Sequence, residues 1–345
     1  MNTPAQPWIL SRRLDLGIFG GSLGLGLALV GLGAALGLLR TPLPLPLWLL
    51  LVVGVDVAHV HSTWLRTYFD PRELARHPWR YAAVPLGAYA VGVALHAFGS
   101  LPFWRALAYY AVFHFVRQQY GWVALYGRGE ALRVVLDRRL DALAIYAATL
   151  WPLLWWHAHL PRRFSWFVAG DFAGPVAASF VRWTFPIYVA LLAAFALRQA
   201  QRWRREGFFP VGKSVVVATT AFSWWLAIVA LDSDWAFTAL NVLPHGIPYV
   251  ALVWVRSARE GGGSGLRRLL VHTGPWAFLA LVLALGLGEE WLWDLGIWHD
   301  HPGLFGAGWD LGALTQTLLV PLLALPQAVH YTLDGYIWRR SEQAS

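Results

Sequence analysis

LDLGIFGGSLGLGLALVGLGAALGLL, residues 14–39, carries one charged residue, Asp15, in a run of leucine, glycine, alanine and valine. Coiled as a helix rising ~1.5 Å per residue, the run is long enough to cross ~30 Å of hydrocarbon. Residues 269–287 read the same way. The bias persists across the chain: 57% of its 345 residues are hydrophobic and 13% charged, against roughly 45–50% and 25% in soluble domains. A water-soluble core cannot absorb that excess. The fold class is therefore all-α, a polytopic membrane helix bundle.

Working outward from that run, spans are expected at 14–39, 46–66, 80–99, 102–126, 140–158, 176–198, 213–231, 235–256, 269–288 and 310–338. That makes about ten transmembrane helices in a single integral membrane domain covering residues 1–345. Basic loops are retained in the cytoplasm. With the N-terminus inside, most of the 27 Lys and Arg residues fall on the inner side, and only Arg40, Arg105, Arg162 and Arg163 fall outside. This asymmetry predicts N-in, C-in topology in a bacterial-type inner (cytoplasmic) membrane. The first run is longer than the apolar region of a secretory signal and lacks a clear small-x-small cleavage site, so it reads as a span. Tryptophans 151, 155, 156, 291, 293 and 298 cluster near expected outer ends, as interfacial anchors do. Residues 261–265, GGGSG, read as a flexible inner loop.

The chain has no cysteine. Disulfides, thiolate ligands and cysteine nucleophiles are excluded. Its net charge of +8 comes from short inter-span loops that meet anionic lipid headgroups, so membrane lipids are expected partners and nucleic acid is not. Phosphate-binding loops, nucleophile elbows and zinc-finger spacings are absent.

Ionisable residues inside a bilayer are expensive, so their positions inform most. The second expected span contains Asp56, His59 and His61; the fourth His114, Arg117 and Gln118; the eighth Asn241 and His245; the tenth Gln327, His330 and Asp334. Counted back from the arginine ending each span, the rises to His59, His114, His245 and His330 differ by only about 10 Å, so the four could share one layer. Asp56/His59, His114/Gln118, Asn241/His245 and His330/Asp334 are three or four apart and lie on common helix faces, where the polar partner can orient the ring.

These features predict a metal centre held by His59, His114, His245 and His330, with Asp56 and Asp334 as ligands or orienters. The N/O donor set suits iron first, or zinc or copper. Arg117 is expected to pair with Asp56 or Asp334, or to bind a substrate carboxylate or phosphate. Tyr331 is placed near the substrate. The competing reading makes the histidines interhelical glue, each worth about 0.6–2 kcal/mol. His61 faces away from His59, and His96 lies too near the outer end. The segment Arg66, Tyr68, Asp70, Arg72, Glu73 reads as a solvated loop or a polar headgroup entrance. The outer pairs His157/His159 and His299/His301, with Asp171 and Asp300, read as helix caps before peripheral metal ligands.

The segment Leu243-Pro244-His245-Gly246 resembles the LPHG element of the Brp/Blh-type membrane carotene dioxygenases, polytopic proteins thought to cleave a carotenoid with histidine-held iron. The resemblance covers only these residues. It implies a ligand role for His245 and, more loosely, for His59, His114 and His330. The leading expectation is a membrane-embedded non-haem iron oxygenase or related oxidoreductase acting on a lipid-soluble substrate. Two others stand beside it: a transporter or channel with an intramembrane His/Asp/Arg path, favoured if Pro244, Gly246 and Pro248 break the eighth span, and a b-type haem protein with paired axial histidines.

Overall fold

The computed structural model describes residues 6–130 and 133–338. The chain is all-helical, 79% helix, with no strand among the described residues. Its long helices are α1 Arg12–Ala35, α2 Leu45–Arg66, α3 Pro78–Ala97, α4 Ser100–Arg128, α5 Val135–Ala158, α6 Ala178–Glu206, α7 Val211–Ala230, α8 Asp234–Arg259, α9 Pro275–Trp298 and α10 Ala313–Ile337. Seven of them (α1, α2 and α6 to α10) are long and apolar enough to cross a membrane. The expected count of about ten is thus not supported. At the other three expected positions the chain does form helices, but their tyrosine, tryptophan, histidine, arginine and glutamine side chains leave them less apolar. Arg339 and Arg340, which the C-in assignment used, lie outside the described residues.

Two compact units divide the chain: residues 1–43 with 112–248, and residues 44–111 with 249–345. In the first, α5 packs along α6 and against α7, and α7 packs against α1. Where α1 meets α8 the contact needs glycine: a Cβ on Gly26 would stand 2.9 Å from the Ala239 carbonyl oxygen. Close backbone approach at small residues is how membrane helices gain packing without a hydrophobic driving force. Trp235 adds a hydrogen bond from its indole N–H to the Leu29 carbonyl, 3.0 Å.

This unit also buries an ionic network. Lys213 Nζ lies 2.7 Å from Glu130 and 2.9 Å from Asp141. Arg202 reaches Glu130 at 2.6 Å and Glu206 at 3.0 Å, Arg198 reaches Asp137 at 2.6 Å, and Arg133 reaches Asp141 at 3.0 Å. Lys213, Arg202, Glu130, Asp137 and Asp141 are all buried. A short helix rise into an apolar environment is tolerable for these groups because each meets an opposite charge.

In the second unit, α9 packs on α2, and α10 on α3 and α2. Tyr81, Val329 and Leu333 form part of the core between α3 and α10. Helix α2 is irregular: Trp48–Val57 is π-helical, Ala58–Ser62 α-helical and Thr63–Arg66 3₁₀. Such changes of winding concentrate at functional sites because they re-aim side chains, and His59 and Thr63 lie just beyond the π segment. Helix α9 runs ten residues past the expected end at 288, to Trp298, so Glu289, Glu290 and Asp294 are buried within a span.

The glycine stretch 261–265 is a tight turn and not a linker. Gly261, Gly262, Gly263 and Gly265 all have positive φ, and a Cβ on Gly263 would lie 2.4 Å from Asp70 Oδ2. The turn brings Ser264 Oγ to 2.7 Å and Arg267 Nη1 to 2.8 Å from the Asp70 carboxylate. Arg267 and Arg66 both bind Glu260, at 2.6 and 3.1 Å. Asp70 also caps the helix Pro71–Arg76 through the Arg72 N–H. Residues 66–73 are therefore a latch and not a solvated loop.

Candidate metal centre

Four histidines from four helices are nearly inaccessible: His59 at 2%, His114 at 2%, His245 at 0% and His330 at 1%. Within the second unit, the His59 and His330 rings meet edge to face, centroids 4.9 Å apart. Within the first, His114 and His245 meet the same way at 5.1 Å. One nitrogen from each of the four lies within 4.8 Å of the others, forming a donor set able to hold a metal ion.

Ring orientation comes from neighbours. His330 Nδ1 is 2.6 Å from Thr63 Oγ1, which is 2.9 Å from the Tyr249 hydroxyl, and that hydroxyl hydrogen-bonds Asp334. With a carboxylate at its end the chain polarises one way: Tyr249 O–H donates to Asp334, Thr63 O–H to Tyr249, and His330 Nδ1–H to Thr63. Nδ1 of His330 is then the protonated ring nitrogen. His59 Nδ1 lies 3.6 Å from Asp56 Oδ1, within ion-pair reach but beyond a hydrogen bond. His245 is held by stacking on Phe115, centroids 3.6 Å apart and planes 6° apart.

The donor set fits a metal. A tetrahedral ion bound at ~2.0–2.2 Å spaces its donor nitrogens by about 3.3–3.6 Å, so a pair near the 4.8 Å limit must draw together by about 1 Å. Neutral imidazole suits iron, zinc and copper alike. A cation held by these rings would offset the desolvation that burial imposes on them.

Placement of the other expected site residues is mixed. Asp56 stands beside His59, and Asp334 reaches His330 only through Tyr249 and Thr63; neither belongs to the four-nitrogen group. Asp334 also accepts from the Trp338 indole N–H at 2.6 Å. Arg117 does not pair with Asp56 or Asp334. It is exposed, its guanidinium donates to the Tyr146 hydroxyl, and it lies 4.9 Å over the Tyr120 ring. Tyr331 packs edge-on against Tyr110, centroids 5.5 Å apart, next to His330. Gln118 and Asn241 serve backbone carbonyls, of His245 and Phe237, at 2.9 Å each, and not histidine rings. Thr63 and Tyr249 were missed, although each lies four residues after a ligand histidine, on the same helix face.

Nearby histidines do other work. His61 Nε2 lies 2.9 Å from the buried Glu289 carboxylate. His96 bonds Thr317 at 3.2 Å. His157, His159 and His299 each turn a ring nitrogen to the carbonyl four residues earlier, and His301 faces Asp294 at 3.5 Å. Those four cap helix ends. Trp156 and Trp293, expected as interfacial anchors, are buried in aromatic clusters instead.

Helix α8 is continuous through Pro244 and Pro248. Each proline removes one backbone donor, and Gln118 supplies a side-chain donor to the His245 carbonyl within that stretch. The broken helix that would have favoured a transporter is not formed. Comparison with protein-family models, curated proteins and solved structures finds no match, so the LPHG resemblance at residues 243–246 is not extended by any relative.

Proposed function

We propose that the protein is a membrane-embedded metalloenzyme in which His59, His114, His245 and His330 hold an iron ion for oxidation of a lipid-soluble substrate by dioxygen. The observation that carries this reading is the approach of four buried histidine nitrogens to within 4.8 Å of one another. Paired glue histidines need only meet in twos. Bound in this set, a ferrous ion with an open position supplies dioxygen activation.

The chain's own residues prepare that site. The Asp334–Tyr249–Thr63 chain fixes the His330 tautomer, Asp56 lies beside the His59 ring, and Phe115 fixes the plane of His245. Burial excludes bulk water from the centre. Tyr331, beside His330 and against Tyr110, is positioned to contact a bound substrate. Arg117, turned to Tyr146 and Tyr120, has no part in this reading.

A b-type haem fits poorly, since a macrocycle between axial histidines leaves no space for two more imidazole nitrogens within 4.8 Å. A second reading, an intramembrane proton or ion path, is favoured by one observation: Glu289, Glu290 and His61 are buried and the metal centre does not use them. Metal analysis with an absorption spectrum of gently purified protein separates the readings. Near-stoichiometric iron without a Soret band is expected. Protein that retains no metal while folded rejects the metalloenzyme and leaves the ion path.

A further inference from the structure

In the first unit, the end of α5, the start of α6 and the π-helical end of α7 enclose a groove of about 590 Å³, within the ~300–1,000 Å³ typical of small-molecule sites. Its walls are aromatic: Trp151, Trp155, Phe185 and Trp225. Trp151 is buried, stacked on Tyr188 with centroids 4.7 Å apart, whereas Phe185 and Trp225 remain exposed at 45% and 39%. The mouth carries two nitrogen groups. Arg182 lines it with no partner of any kind among the described residues. His159 stacks on Trp155 at 3.8 Å and spends Nδ1 on the Trp155 carbonyl, leaving Nε2 for a ligand. No carboxylate lines the groove.

Depth sets the chemistry. Arg182 lies near the start of α6, and the basic end of that helix begins at Arg198, about 24 Å further along by helical rise. That separation is close to the thickness of the hydrocarbon core, so Arg182 sits at headgroup level on the face opposite the Arg198 end. An unpaired guanidinium there, beside an apolar aromatic groove, matches a molecule with an anionic head and hydrocarbon tails. Planar guanidinium pairs with phosphate oxygens through two parallel N–H bonds.

We propose that this groove is a binding site for one anionic phospholipid, its phosphate on Arg182 and His159 and an acyl chain against Trp151, Phe185 and Trp225. The site is independent of the metal centre.

Native mass spectrometry of the purified full chain, with phosphatidylglycerol and phosphatidylcholine in equal amount, tests it. Wild type is expected to retain phosphatidylglycerol about tenfold better, because the phosphate of phosphatidylcholine is already offset by its own choline cation and gains less from Arg182. Arg182→Gln should bring the two lipids to parity, and Arg182→Lys should keep most of the preference. Trp225→Ala should reduce retention of both. Because Arg182 and Trp225 are exposed, these variants keep the fold, which a monodisperse metal-bound sample verifies. Equal retention by wild type, an undiminished preference in Arg182→Gln, or displacement of the lipid by millimolar inorganic phosphate would each overturn the proposal.

Discussion

The ionic network around Lys213 and the histidine cluster are both buried polar groups in an apolar protein, yet they are built on opposite rules. The network balances four cations, Lys213, Arg133, Arg198 and Arg202, against four anions, Glu130, Asp137, Asp141 and Glu206, each within ion-pair distance of an opposite charge. Its charges are matched one for one, although Asp141 Oδ1, Arg133 Nε and Arg202 Nη2 keep no hydrogen-bond partner. The cluster instead brings together four imidazoles able to hold a metal ion, with Asp56 beside His59 and Asp334 behind Tyr249 and Thr63. Self-sufficient burial of charge locks helices together; convergent burial of neutral donors awaits a cation. The difference lets the two regions be told apart by what a single deletion does.

The largest effect is expected from breaking the closed network. Lys213→Ala leaves Glu130 with Arg202 alone and Asp141 with Arg133 alone; losing two buried charge-assisted hydrogen bonds at ~1.5–3 kcal/mol each should cost about 3–5 kcal/mol. The measurement is the thermal midpoint in detergent, together with the yield of folded protein. Lys213→Ala with a wild-type midpoint would mean that the network is ornamental and the contrast with the cluster is void.

His245→Ala and His330→Ala come next, and they should act on metal before stability. Iron content is expected to drop from near-stoichiometric to below about a tenth, with the metal-free midpoint changed by less than for Lys213→Ala. His157→Ala and His301→Ala, helix caps by their contacts, should leave metal content intact. If all four variants kept their iron, the ligand assignment would be lost.

A finer test addresses orientation. Thr63→Val removes the link between His330 and Tyr249 while conserving volume, and should weaken metal affinity by about 10–100-fold. Thr63→Ser should restore most of it. Tyr249→Phe, which severs the same chain from Asp334, should match Thr63→Val; a full-strength site in both would reduce Asp334 to packing.

The contrast also explains what could be read from the amino-acid order. Helix positions were legible because hydrophobic length alone marks them, and the ligand histidines were legible because ionisable side chains stand out against apolar runs. The span over α9 was cut short at 288 because Glu289 and Glu290 look like a membrane boundary; only packing shows that His61 and a buried environment receive them. The Lys213 network stayed hidden, since its members lie far apart in sequence and look, one by one, like loop charges. Arg117 was assigned an acidic partner on the same logic of cost, but an exposed guanidinium satisfied by Tyr146 and Tyr120 needs none. The change of winding along α2 leaves no mark in hydropathy, yet it determines where His59 and Thr63 point. Glycine-rich order at 261–265 was taken for slack, when positive φ at four glycines serves a compact turn around Asp70.

That turn gives the smallest expected effect, and the one with a definite sign in pH. Burial pushes the Asp70 carboxyl up, but hydrogen bonds from Ser264, Arg267 and the Arg72 N–H outweigh it and hold the group below its ordinary range. Glu260 is likewise raised by burial and brought lower overall by Arg66 and Arg267. A carboxylate depressed in the folded state adds stability that is fully present above its unfolded pKa, ~3.9 for Asp and ~4.3 for Glu, because both states are then ionised. As pH falls below that range the unfolded chain takes up protons first, and the contribution is lost by the time pH passes the depressed folded values. The latch should therefore hold unchanged from neutrality to about pH 5 and fade below pH 4. Asp70→Asn should remove about 1–2 kcal/mol at pH 7 and flatten the acid limb of the thermal midpoint. An acid limb as steep in Asp70→Asn, Glu260→Gln as in wild type would place the sensitivity outside this latch.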